Sequence, residues 1–222
     1  MNHKRLTLFA GHYGSGKTNI AVNYALHLAK EGKKVCIADL DIVNPYFRTK
    51  DSERELNEAG IRLVSPKYAN SNVDLPALPA ESYRLVQDKS TFGIMDIGGD
   101  DRGAYALGRF AEAIRAENDY RMAFVVNCHR PLTSTVNDTV EIMKEIEAAS
   151  GLKFNCIVNN SNLGPETTPE TVFESLAFVN ELSEKTGLPV WLHTAEASVA
   201  EGLSGLDVLP MKLQRKIFDL PD

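Results

Sequence analysis

Eight residues near the start, Gly11-His12-Tyr13-Gly14-Ser15-Gly16-Lys17-Thr18, constrain this chain more than any other feature. They fit the pattern G-x-x-x-x-G-K-[ST], whose glycines let the backbone curl so that N–H groups converge on phosphate oxygens. An apolar run, Arg5–Ala10, leads in. A stretch of helical period, Asn19–Glu31, leads out, with Ile20, Tyr24, Ala25 and Leu28 on one face and Gly32 as its stop. Strand, loop and helix in that order are the geometry the pattern needs, because the positive end of the helix reinforces the anion site. Lys17 then reaches the β- and γ-phosphates, and the Thr18 hydroxyl holds Mg²⁺. The plainer reading, a glycine-rich turn followed by a lysine, is disfavoured by those flanks.

The rest of the chain alternates in the same way. Further strands are expected at Lys34–Asp39, Ile61–Ser65, Phe92–Asp96, Met122–Asn127, Phe154–Asn159 and Pro189–His193. Helices are expected at Ser134–Ser150, stopped by Gly151, and at Pro169–Thr186, with Thr168 as N-cap and Gly187 as the stop. Strands that are apolar throughout, each followed by a helix, imply a mostly parallel sheet covered on both faces. No Pro/Ser-rich linker divides the 222 residues, so a single nucleotide-binding domain over 1–222 is expected. Lys67–Pro79, with Pro76 and Pro79, is the least regular stretch and suits an extended loop.

Charge narrows the partners. The net charge is −6, yet residues 1–50 hold eight Lys/Arg against three Asp/Glu, so the acidic excess lies in the remainder. An acidic bulk disfavours non-specific nucleic-acid binding and leaves the N-terminal fifth as the place for an anionic ligand. Three scattered cysteines form no disulfide framework, no apolar run nears the roughly 18 residues of a membrane span, and the opening residues are too short for a signal peptide. A cytoplasmic protein is expected, with nucleic acid and membrane unlikely partners.

Two acidic segments fall where phosphate chemistry needs them. The second strand ends in Asp39-Leu40-Asp41, whose carboxylates share a side near the carboxyl edge of the sheet, where open α/β sheets bind ligands. One suits a magnesium-bound water and the other the attacking water. Phe92–Gly99 is an apolar strand ending in Asp96-Ile97-Gly98-Gly99. Asp96 there accepts from metal-bound water, and Gly99 lets its N–H approach a terminal phosphate. Later, Cys156–Asn160 ends a strand in two amides. Asn159 is the first choice to read a base and Asn160 the fallback, with loop capping the plainer role for either.

Together Gly11–Thr18, Asp39-x-Asp41, Asp96–Gly99 and Asn159 resemble, in order, the MinD/ParA-like (CobQ/CobB/MinD/ParA) branch of P-loop NTPases. That branch also includes the arsenite-pump ATPase, the nitrogenase iron protein and several cofactor-maturation NTPases. The likeness covers about residues 5–160, and Thr194–Val199 fits the branch's purine-side segment loosely. It implies a three-layer α/β fold with a seven- or eight-stranded sheet, ATP and Mg²⁺ as cofactors, and a nucleotide-linked homodimer. It also implies Lys17 and Asp41 as catalytic residues, Thr18, Asp39 and Asp96 near the metal, and Gly11, His12, Tyr13, Gly14, Ser15, Gly16, Gly99 and Asn159 around the nucleotide. One departure stands out: His12 occupies the place where much of the branch carries a second lysine that reaches across the dimer. Whether His12 faces phosphate or points outward is open at this stage.

The leading expectation is a slow ATPase switch that acts on an unidentified protein or small-molecule partner. The rivals are a small-molecule kinase, with Lys67–Pro79 and Asp100–Arg109 as walls of its acceptor pocket, and a maturation factor using nucleotide as a conformational clamp. Cys36 and Cys156 fall inside strands and are expected to be inert, while Cys128 ends a strand beside His129. After Pro210, Leu213, Ile217 and Leu220 oppose Lys212, Arg215 and Lys216. That short segment suits docking on the core better than lying on a membrane.

Overall fold

Eight strands form one sheet in the order β3-β2-β4-β1-β5-β6-β7-β8 in the computed structural model, and every neighbouring pair is parallel. The structure describes residues 2–41, 49–65, 82–99 and 101–213. The strands are β1 (Leu6–Ala10), β2 (Val35–Leu40), β3 (Arg62–Val64), β4 (Phe92–Ile97), β5 (Tyr120–Val126), β6 (Cys156–Asn159), β7 (Val190–Glu196) and β8 (Val208–Met211). Seven of them coincide with the expected runs, displaced by one to three residues at their ends. The eighth was not expected, because Pro210 lies within it. Proline cannot donate to a ladder, and β8 tolerates it because it is the edge of the sheet.

Helices cover both faces. They are α1 (Lys17–Lys30), α2 (Glu53–Glu58), α3 (Tyr83–Gln87), α4 (Asp101–Gly108), α5 (Ala111–Glu117), α6 (Val136–Ser150), α7 (Pro169–Thr186) and α8 (Ala197–Ala200). Strand alternation divides the core in two. Leu6, Leu8 and Ala10 of β1 pack with Leu107, Phe110 and Met143 of the α4–α6 side. Phe9, between them in sequence, points the other way into a cluster with Ile20, Tyr24 and Leu28 of α1. Burying one such large apolar side chain contributes about 1.5–3 kcal/mol, so the two-sided pattern itself fixes which way every strand faces.

The long helices end as their sequences dictate. Thr135 caps α6 by accepting from the Asp138 N–H. Thr168 and Thr171 form a reciprocal capping box at the start of α7, with Pro169 in its first turn. Segments 67–79 and 214–222, and Asp100 of the expected acceptor wall, lie outside the described residues. Among the described residues no helix is long and apolar enough to cross a membrane.

Candidate nucleotide site

The loop Gly11–Thr18 runs from the carboxyl end of β1 into α1, at the edge where β2 and β4 also end. Gly16 is the N-cap of α1 in left-handed geometry, φ 91° and ψ 16°, and no side chain caps the helix. The first-turn N–H groups therefore face the loop's own concavity. Side chains at two loop glycines are excluded by close neighbours. A Cβ at Gly11 would run into the Val125 carbonyl, and one at Gly16 into the Asn160 amide. The loop is wedged against β5 and the end of β6, which sets its shape without a ligand.

Lys17 is 6% exposed, and its Nζ donates to the His12 carbonyl at 3.1 Å. Gly99 approaches from β4. A Cβ there would lie 2.7 Å from the Tyr13 N and 3.0 Å from Lys17 Nζ. Glycine at 99 thus leaves room for the loop backbone and the lysine. A second glycine serves the same corner: a Cβ on Gly103 of α4 would meet the Gly98 backbone at 2.6 Å.

Two buried carboxylates stand side by side behind this loop. Asp39 on β2 and Asp96 on β4 are direct register partners, 3% and 1% exposed. Asp39 Oδ1 accepts from the Asp41 N–H at 3.0 Å. Asp96 Oδ2 accepts from the fully buried Thr49 hydroxyl at 3.0 Å. Its Oδ1 is buried beside the Thr18 hydroxyl but makes no hydrogen bond of good geometry among the described residues, and the Ser15 hydroxyl is likewise buried without one. Burial pushes the Asp96 carboxyl up to about 6, against the opposing pull of the Thr18 hydroxyl, the Lys17 ammonium and the Thr49 hydroxyl. A buried acceptor left without a donor costs about 1–3 kcal/mol. A cation beside Asp96 and Thr18 would remove that cost, so the residues present fit a hard divalent ion with oxygen ligands.

A cavity of about 400 Å³ opens from the loop toward β7 and β8, lined by Lys17, Thr18, Asp41, Arg130, Asn160 and Glu196 among others. Asn159 is not on its wall. The Asn159 amide points the other way, donating to Ser175 Oγ of α7 at 2.8 Å and meeting His193 Nδ1 at 3.2 Å, while its oxygen accepts from the Ser161 N–H. Asn159, expected to read the base, thus has its amide engaged on the α7 side of the sheet. Strand alternation puts it with Ile157 on the α7 face, and Asn160 on the loop face. Asn160 is itself tied into the protein: Nδ2 donates to the Ser15 carbonyl at 2.6 Å, and Oδ1 accepts from Thr194 Oγ1 at 2.6 Å.

His12 turns its ring back on the loop, with Nδ1 at 3.0 Å from the Tyr13 carbonyl. Tyr13 is 56% exposed and lines the cavity mouth. Arg130, from the loop after β5, donates from Nε to the Gly14 carbonyl at 3.1 Å and lies over the loop. Thr49, Arg130, Asn160 and Glu196 are the site groups not chosen as leading candidates from sequence. Asn160 was reachable through strand parity; Thr49, Arg130 and Glu196 stand in stretches of sequence with no periodic pattern to single them out. Cys36 and Cys156 are buried, and burial pushes the Cys156 thiol up to about 12, which keeps it inert.

A parallel sheet, a phosphate-type loop at its carboxyl edge and paired carboxylates behind it define a P-loop nucleotide-binding protein. The family model for the CobQ/CobB/MinD/ParA nucleotide-binding domain matches residues 6–162, and the chain belongs to that family. Comparison with curated proteins finds no significant match. Among solved structures, the fold is similar to the signal recognition particle receptor FtsY from Elizabethkingia anophelis in complex with GDP (TM-score 0.60, 15% identity, 97% of this chain and 62% of that one). It is also similar to the cell division protein FtsY from Thermotoga maritima (TM-score 0.59, 16% identity, 86% and 61%). A third is the 54 kDa signal recognition particle protein from Aeropyrum pernix in complex with GDP (TM-score 0.53, 17% identity, 83% and 40%). The chain spans less than two thirds of each of these, and at such identities they share its fold alone.

Proposed function

We propose that the chain binds Mg-ATP in the cavity beside Gly11–Thr18 and acts as a slow ATPase switch of the MinD/ParA-like type, in the cytoplasm. One observation carries this reading. Asp39 and Asp96 lie adjacent behind Lys17 and Thr18, and the Oδ1 of Asp96 is buried with no well-formed hydrogen bond among the described residues. Thr18, Asp39 and Asp96 would hold Mg²⁺, which when bound neutralises phosphate charge. The backbone of Gly11, His12, Tyr13, Gly14, Ser15 and Gly16 wraps the phosphates, Gly99 closes beside them, and Lys17 exchanges the His12 carbonyl for phosphate oxygens. Asp41, on the cavity wall, orients the attacking water. The Ser15 hydroxyl, buried with no partner among the described residues, gains an acceptor when phosphate arrives.

The test is nucleotide titration and phosphate release with Lys17→Ala. The expected result is at least a ~100-fold loss of affinity or turnover, since charge-assisted contacts to phosphate are the strong ones. Unchanged affinity together with unchanged hydrolysis rejects the site. A nucleotide-linked homodimer and an unidentified protein or small-molecule partner complete the proposal, and sedimentation with and without nucleotide tests the dimer.

A second reading, guanine nucleotide, is favoured by Glu196. It lies on the cavity wall, and a carboxylate suits the paired N–H donors of guanine. Adenine remains the first choice because the strand-end amides Asn159 and Asn160 are followed by Ser161, Asn162 and Leu163, with no carboxylate in the usual guanine-reading place. Competition between ATP and GTP for the wild-type protein decides between them.

A further inference from the structure

Three ligand-type side chains converge at the far end of α1, away from the nucleotide site. His3 precedes β1, His27 lies in the last turn of α1, and Glu31 is that helix's C-cap. One ligand atom from each lies within 4.8 Å of the others. His3 Nε2 is 3.0 Å from Glu31 Oε2, and His27 Nε2 is 3.2 Å from Glu31 Oε1. We infer that His3, His27 and Glu31 form a binding site for a divalent transition-metal ion, of the zinc class.

The donor set fits the ion. Two imidazole nitrogens and one carboxylate oxygen are a recurrent zinc ligand set that keeps a fourth position open. With metal–ligand bonds of about 2.0–2.2 Å, tetrahedral ligands sit roughly 3.3–3.5 Å apart. The two nitrogen–oxygen spacings, to different oxygens of Glu31, are near that value, and the three ligand atoms, within 4.8 Å of one another, would draw together by up to about an ångström on binding. His27 and Glu31 are an i,i+4 pair, so the helix itself holds two ligands on one face.

The outer partner is also present. His3 Nδ1 is 3.0 Å from the Tyr24 hydroxyl. A ligating imidazole characteristically donates its other N–H to such a group, which fixes the ring and leaves the far nitrogen's lone pair for metal. A neutral His3 beside an ionised Glu31 must donate from that same Nε2, which puts the metal-free ring's proton there. Binding moves that proton to Nδ1, where Tyr24 accepts it, so the ring stays neutral. Tyr24 is anchored in turn, edge-on to Phe9 and Trp191 in the α1 core. Glu31 and His27 are about one third exposed, which leaves the ion a path from solvent.

The site would join the segment before β1 to the carboxyl end of the helix that carries Lys17. His27 is ten residues beyond Lys17, about 15 Å along the helix axis, so the ion is separate from any magnesium held with nucleotide. Its role is to brace the two ends of the β1–α1 unit.

Titration of the nucleotide-free protein with Zn²⁺ by calorimetry, and with Co²⁺ by visible absorption, in excess Mg²⁺, tests the inference. The expected result is one ion per chain and the intense visible bands of four-coordinate cobalt. His27→Ala and Glu31→Gln should each weaken binding at least ~100-fold and abolish the cobalt bands, while circular dichroism shows both variants folded. Tyr24→Phe should weaken binding about tenfold, as loss of an outer partner does. No stoichiometric uptake by the wild type overturns the inference. So does wild-type affinity in both His27→Ala and Glu31→Gln, which would place any bound ion elsewhere, for instance at Cys128.

Discussion

Asn160 donates from Nδ2 to the Ser15 carbonyl at 2.6 Å, joining the end of β6 to the middle of the phosphate loop. The same amide accepts from Thr194 of β7, so the loop, β6 and β7 are linked through one buried side chain. Asn159, its neighbour, spends its amide on Ser175 and His193 across the sheet. Two adjacent asparagines thus serve opposite faces, and their substitutions should separate.

Asn160→Ala leaves the Ser15 carbonyl without its donor and loosens the loop. It should lower nucleotide affinity about tenfold and cost about 1–3 kcal/mol of stability. Asn159→Ala should cost a similar amount of stability with affinity nearly unchanged. Fluorescent-nucleotide titration and urea unfolding of both variants check the pair. Equal loss of affinity in both would show that the two amides act as one unit.

Much of this was legible beforehand. The loop, the first seven strands and the carboxylates at their ends follow from apolar runs and glycine spacing, because strand length and period reflect local burial. β8 was hidden by Pro210, whose missing N–H argues against a strand everywhere except at an edge. Thr49 was hidden for a different reason. Its contact with Asp96 joins positions 47 residues apart, and no local periodicity encodes such a pairing. The choice between Asn159 and Asn160 needed the facing of β6, which Ile157 and Val158 reveal only once the two core clusters are known.

Asp96 sets stability against function. Its carboxyl, ordinarily near 3.8, is raised to about 6 by burial, so the folded protein holds a proton that the unfolded chain has released. That contribution to stability is complete below about pH 4 and is lost as pH rises through about 6. Asp96→Asn cannot ionise. In the nucleotide-free state it should remove this part of the pH dependence and raise the melting temperature near neutral pH by several degrees. The same variant should bind Mg-nucleotide at least ~tenfold more weakly, because a neutral amide replaces a metal-side carboxylate. Melting curves across pH, with and without Mg-nucleotide, read both effects. A variant no more stable than wild type at neutral pH would remove the conflict.

At the amino end of the central strand β1, Arg5 holds together three segments. Its Nη1 donates to the carbonyls of Leu85, Asp88 and Thr91 at 2.9, 3.1 and 3.0 Å, and its other nitrogens pair with Glu117. Burial raises the Glu117 carboxyl, but hydrogen bonds from Arg5 and Lys89 outweigh it and hold the group below its ordinary 4.5. The resulting stability is present above about pH 4.5 and lost as pH falls through the depressed value. Arg5→Ala strands the carboxylate and three carbonyls and should cost about 3–5 kcal/mol. It should also flatten the acid dependence that wild type shows. Urea unfolding between neutral and acidic pH measures both, and parallel acid profiles in the two proteins would mean that Glu117 draws its depression from Lys89 alone.

Asp41 separates binding from turnover. Its side chain lines the cavity, while its backbone N–H, not its carboxylate, supports Asp39 Oδ1 at 3.0 Å. Asp41→Asn preserves that backbone contact, so the Asp39 and Asp96 pair keeps its arrangement. A group that orients the attacking water contributes mainly in the transition state, so its loss lowers kcat and leaves ground-state affinity nearly intact. Asp41→Asn should therefore reduce ATP hydrolysis about 100-fold or more, with nucleotide affinity within about threefold of wild type. Asp39→Asn, which alters the metal side instead, should weaken Mg-dependent binding itself. Single-turnover phosphate release and equilibrium titration on the two variants give the contrast. Hydrolysis at the wild-type rate by Asp41→Asn would move the water-orienting role elsewhere in the cavity, and a matching loss of affinity in both variants would make Asp41 part of the metal side.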